Sequence, residues 1–119
     1  MHGESKPGPH GGLVRMPGEF HVEVVPRTGA AAFDAYLLDL QNRNPITFAS
    51  RVRGYIEKED KKSWFSCEPV SDHFLCNVPS DLNGISGQLT LQTVKQIEAG
   101  SPTTGRPVNY PWPLSKGMN

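Results

Sequence analysis

The sequence predicts an all-β fold: an antiparallel β-sandwich of the immunoglobulin-like type, with a small β-barrel as the alternative. Three observations point there. Short apolar segments recur with a period of two, Gly, Pro and Asn turn signals separate them, and no segment carries a convincing helical stripe. With 119 residues, of which 12 are Gly and 11 Pro, the chain is one domain's worth of protein with a substantial share of turns and tails.

Taken in order, residues 1–12 (MHGESKPGPHGG) read as a flexible Gly/Pro/His arm with nothing to bury. The folded domain is expected over residues 13–100. Its first clear strand alternates Phe20, Val22 and Val24 with Glu19, His21 and Glu23, and Pro26 with Gly29 closes it. In the next segment, AAAFDAYLLDL, Phe33, Ala35 and Leu37 fit a strand face while Phe33, Tyr36, Leu37 and Leu40 fit a helix stripe. Strand neighbours and the short length favour a strand, and NRNP at 42–45 supplies its turn. From Ile46 to Glu57 a long strand is expected, with Ile46, Phe48, Val52 and Ile56 on one face. Gly54 within it marks a bulge or a close backbone approach.

SWFSCEPVSDHFLCNVP reads as a hairpin whose register follows from a two-residue loop at Ser71 and Asp72. Val70 then faces His73, Pro69 faces Phe74, Glu68 faces Leu75, Cys67 faces Cys76 and Phe65 faces Val78. If Val70 and His73 form a hydrogen-bonded pair, the two cysteines fall at a non-hydrogen-bonded pair, where Cα atoms lie about 4.5 Å apart, within disulfide reach. A Cys67–Cys76 bridge is therefore expected; two reduced cysteines on a core face are the alternative, and His73 reads as a turn residue. Pro69 implies an edge strand or a looser turn. A last strand is expected from about Gln88 to Ile97. Residues 101–119, with four prolines, read as an extended C-terminal tail offering Tyr110 and Trp112 either to the domain or to a partner.

Composition narrows the function classes. Twelve basic residues balance 12 acidic ones, so the whole molecule has no electrostatic reason to seek nucleic acid or anionic lipid. No apolar run is long enough for a membrane helix. There is no phosphate loop, nucleophile elbow or HExxH, so an enzyme is not expected. No leader is visible, and the disulfide points to an exported protein whose leader has been removed.

The chemistry concentrates in GPHGGLVRMPGEFHVEVV, residues 8–25. A His-Gly-Gly segment can hold Cu(II): imidazole anchors the ion, and unhindered glycine amides can lose their protons to complete a square-planar set. His10 supplies that imidazole, and His21 lies on the polar face of the first strand between Glu19 and Glu23. Met16 adds a soft thioether suited to Cu(I). A folded-back arm would bring His10 towards His21. The competing reading of Glu19, His21 and Glu23 is a solvated strand face.

The order of this stretch followed by AYLLDLQNRNPI resembles small periplasmic modules with a Pro-His-Gly-Gly segment, a His/Glu strand and a YLLD-type strand. Such modules occur near the N-terminus of periplasmic adaptor subunits of heavy-metal efflux pumps and as free-standing exported proteins. The resemblance covers about residues 8–46, through His10, Gly11, Gly12, His21, Glu23 and Tyr36 to Asp39. It implies a β-sandwich, export to the periplasm and a copper or other soft transition-metal ligand. The paired cysteines depart from the pattern, and the adaptor hairpin is missing, which implies a carrier or sensor.

The reading is thus a periplasmic copper- or zinc-binding protein associated with heavy-metal efflux. Its principal ligands are His10 and His21, its secondary ones Met16, Glu19 and Glu23, and an efflux-pump or envelope protein is the expected partner. The alternative is an immunoglobulin-like envelope interaction module without metal, contacting its partner through the Trp/Tyr/Pro tail.

Overall fold

The structure, a computed structural model, describes residues 8–27, 32–79, 86–98 and 101–114. Within them the chain forms nine strands: β1 (Leu13–Arg15), β2 (His21–Pro26), β3 (Ala32–Leu38), β4 (Arg51–Lys58), β5 (Lys61–Val70), β6 (His73–Asn77), β7 (Gly87–Glu98), β8 (Ser101–Thr104) and β9 (Val108–Trp112). All pairings are antiparallel, and the strands follow the path β1-β2-β3-β6-β5-β4-β7-β8, with β9 also on β7. The sheet curls until its ends nearly meet, so the small barrel, given as the alternative, describes the architecture better than two separate layers.

β5 produces the curl. Its first part, up to Ser66, pairs with β4, and from Cys67 onward it pairs with β6. One strand therefore serves both halves of the sheet and turns the corner between them. The expected hairpin register holds from Cys67↔Cys76 to Val70↔His73, and the two cysteines are bridged with Cα atoms 4.3 Å apart. Phe65 instead faces Gly54 of β4, because β5 has changed partner by then.

The period-two residues meet inside. Phe20, Val22, Val24, Phe33, Ala35, Leu37, Ile56, Phe74, Leu89 and Leu91 form one core with Tyr110. Each large apolar side chain removed from water contributes on the order of 1.5–3 kcal/mol, which offsets the entropy of ordering so many turns. β3 settles the ambiguity of its segment, since Phe33, Ala35 and Leu37 are all fully buried. Gly54 marks a close approach: a Cβ there would sit 2.5 Å from the carbonyl oxygen of Thr90.

Three expectations change. The strand expected from Ile46 begins only at Arg51; Ile46 makes one isolated bridge to Leu37 and Phe48 is exposed in the connecting loop. The expected tail is sheet as far as Trp112: β8 and β9 lie end to end along the edge of β7 not taken by β4, with Tyr110 in the core. Prolines are tolerated there because an outer strand leaves one row of backbone groups without ladder partners. The arm is built from residue 8 onward, where it turns into β1. Gly29, His2 with the rest of residues 1–7, and residues 115–119 lie outside the described residues.

Candidate functional site

Alternation along β2 sends Val22 and Val24 inward and His21 and Glu23 to the outer face. An outward glutamate is ordinarily solvated, yet Glu23 is fully buried. The arm covers it. Burying a carboxylate is costly unless its oxygens are hydrogen-bonded, and the arm supplies the donors. The backbone N–H groups of His10 and Gly12 donate to Oε2 at 2.9 and 2.8 Å, and His10 Nδ1 lies 2.8 Å from Oε1. A tight turn sets up this geometry: Gly11 N donates to Gly8 O and Gly8 N to Gly12 O, each at 2.9 Å.

The two glycines of PHGG have separate structural reasons. Gly11 adopts φ 80°, a left-handed conformation that glycine takes without strain. Gly12 passes so close to β2 that a Cβ would fall 2.1 Å from the carbonyl oxygen of Val24. With the amides of His10, Gly11 and Gly12 all donating hydrogen bonds, the amide chelation of Cu(II) that the tripeptide suggests would have to dismantle the arm's anchor. The folded arm offers imidazole nitrogen instead.

Each described imidazole on this side of the molecule is oriented through Nδ1 by an oxygen. His10 faces the Glu23 carboxylate, His21 faces Asn42 Oδ1 at 2.6 Å, and His73 faces Asp72 Oδ1 at 3.1 Å. Opposite His10 and His21 the oxygen accepts, so in those two neutral rings Nδ1 carries the proton and Nε2 keeps the lone pair. This is the arrangement by which an outer carboxylate or carbonyl readies a histidine to ligate through its other nitrogen. Asn42 is itself placed by a capped turn in which Asp39 accepts from the backbone N–H groups of Gln41 and Arg43 and from Asn44 Nδ2. Those bonds, the Arg43 one first, hold the Asp39 carboxyl below its ordinary value.

Tyr36, opposite Glu23 on β3, joins two of the histidines. The His10 ring lies flat on it at 3.7 Å between centroids with 7° between planes, and the His73 ring is 5.0 Å away. Burial pushes the Tyr36 phenol up, and the charges of Asp34, Asp72 and Glu23 push it further. Arg27, 3.0 Å from Asp34, offsets part of that effect. His73 Nε2 is buried without a hydrogen-bond partner among the described residues, 3.5 Å from Asp34 Oδ1.

Of the sequence-predicted residues, the fold brings His10 and Glu23 into contact and places His21 two residues from Glu23 on the same strand face. Met16 and Glu19 are exposed in the β1–β2 connection and make no hydrogen bond or ring contact with His10 or His21. Among the described residues, no three His, Cys, Asp or Glu side chains gather tightly enough to enclose one ion. Asp34, Asn42 and His73 carry no site signal of their own in the sequence, because their places depend on the non-local β3–β6 pairing and on the 39–46 turn. The alternation of Asp34 and Tyr36 with Phe33, Ala35 and Leu37 was the one available signal.

No protein-family model matches the chain, and comparison with curated proteins and with solved structures finds no match.

Proposed function

We propose that the protein is an exported, non-catalytic module that binds copper or zinc reversibly through the imidazole Nε2 atoms of His10 and His21, as a periplasmic carrier or sensor serving heavy-metal efflux. The observation that supports this reading is the Glu23–His10 pair. A fully buried carboxylate fixes Nδ1 of a histidine whose side chain is still 34% exposed, which supports Nε2 as the ligating atom. Glu23 acts through His10 as an orienting group, while Met16 and Glu19, exposed in the β1–β2 connection, are secondary donors. Two or three imidazole and carboxylate donors completed by water suit an ion that must be passed on, since an incomplete protein shell exchanges more readily than a closed cage. The Cys67–Cys76 bridge accords with an oxidising compartment.

Calorimetry with Cu(II) and Zn(II) on the full chain tests the reading. His10→Ala and His21→Ala should each weaken binding by about tenfold or more, with unchanged circular dichroism. Equal affinity in both variants and the parent chain would remove the metal function.

The second reading is an interaction module. Its expected surface, the tail, is partly spent in the sheet, because Tyr110 is buried and Trp112 packs against the core. What favours it now is a different pair, Phe48 and Trp64, exposed by 74% and 47%. A partner captured without metal, and lost on Phe48→Ser or Trp64→Ser, would favour this reading.

A further inference from the structure

A cavity of about 860 Å³ opens where β5 leaves β4. Arg53 is the last β4 residue paired with β5, through Ser66; Arg51 and Val52 then have no β5 partner because Cys67 and its successors have moved across to β6. The resulting notch leads from the surface toward the interior. Its size falls in the range that holds small organic ligands, about 300–1,000 Å³.

The lining is divided. Inside lie Val52, Cys67, Phe74 and Thr93, of which Val52, Phe74 and Thr93 are all but fully buried. Arg51 and Arg53 stand exposed at the mouth, beside Ser66, Gln92 and Thr104. Among the described residues, no aspartate or glutamate lines it. Arg53 is held in place by its Nε donating to Gln92 Oε1 at 2.9 Å and by its guanidinium lying 5.0 Å over the Trp64 ring, which leaves its terminal nitrogens able to meet an anion.

We infer that this notch is a binding site for a small anionic amphiphile, a molecule with one carboxylate and a short apolar body. The carboxylate meets Arg51 and Arg53, with bidentate guanidinium contacts favoured over a single point charge. The apolar body lies against Pro69, Val94, Pro107 and the Cys67 side of the disulfide, the accessible apolar part of the lining. The site is on the β4–β5–β7 side and shares no residue with the histidine face, so its existence is independent of metal binding.

The test is a titration of the full chain with octanoate, its neutral counterpart octanamide, and acetate, followed by amide chemical shifts and calorimetry. Octanoate should bind and shift the amides of Val52, Thr93, Val94 and Thr104. Octanamide, lacking charge, and acetate, lacking the apolar body, should each bind about tenfold more weakly or less. Arg51→Met with Arg53→Met keeps the aliphatic stems and should reduce octanoate affinity to that of octanamide. Octanoate binding no tighter than octanamide, undiminished in the double arginine variant, or mapped to other residues would overturn the proposal.

Discussion

The two ends of the domain look alike in sequence, both rich in Gly and Pro and both expected as loose segments, yet the fold secures them by opposite means. Residues 8–12 are held by polar chemistry: two backbone N–H groups and one imidazole converge on the single carboxylate of Glu23. Residues 101–112 are held by sheet pairing and apolar burial: β8 and β9 extend β7, and Tyr110 enters the core with its hydroxyl donating to Val22 O at 3.3 Å. Burial drives the Tyr110 phenol well above its ordinary value, which favours the neutral, donating form. Arg15 ties the two ends together, its guanidinium over the Tyr110 ring and its Nε donating to Asn109 O. A polar anchor depends on every partner being present and correctly directed, whereas an apolar anchor degrades by the volume removed.

That contrast can be broken from either side. The largest expected effect is Tyr110→Ala, which empties a fully buried aromatic site and should cost about 3–5 kcal/mol in urea unfolding. Tyr110→Phe keeps the volume and should cost only about 0.5–1.5 kcal/mol, showing that packing and not the hydroxyl fixes this end. At the other end Glu23→Gln changes almost no volume, yet it removes the charge that three donors share and should cost about 1.5–3 kcal/mol. It should also raise hydrogen exchange at the His10 and Gly12 amides. Gly12→Ala, driving a methyl against Val24 O, should cost about 1–3 kcal/mol and release the same two amides.

The smallest effect concerns acid. The Asp39 carboxyl is held below its ordinary value in the folded chain, so its share of stability is present above the unfolded carboxyl's titration and fades as pH falls through the folded one. Asp39→Asn should flatten that part of the stability profile below about pH 4. Parallel profiles in the two proteins would show that the turn contributes nothing.

Legibility in the sequence followed range. The Cys67–Cys76 hairpin could be registered residue by residue because its turn is local and its strands alternate strictly. β3 is legible through Phe33, Ala35 and Leu37 because its neighbours are strands. β8 and β9 are not, because Pro102 and Pro111 speak against strands locally, and only their outer position along β7 makes them acceptable. His10 and Glu23 were singled out for chemistry, but their direct contact was not foreseen: alternation placed Glu23 on a polar face and carried no sign that an arm 11 to 13 residues upstream would bury it. The glycines of PHGG pointed to amide chelation when read as flexible. Folded, they point to a turn that needs them for close approach and positive φ.

The most direct measurement of the central claim is a long-range ¹H–¹⁵N correlation spectrum of the histidine rings near pH 8, recorded before and after addition of Zn(II). The account predicts His10 and His21 as Nδ1–H tautomers with unprotonated Nε2, and a shift of both Nε2 resonances as zinc is added. An Nε2–H tautomer at His10, or Nε2 resonances unmoved at saturating zinc, would contradict it.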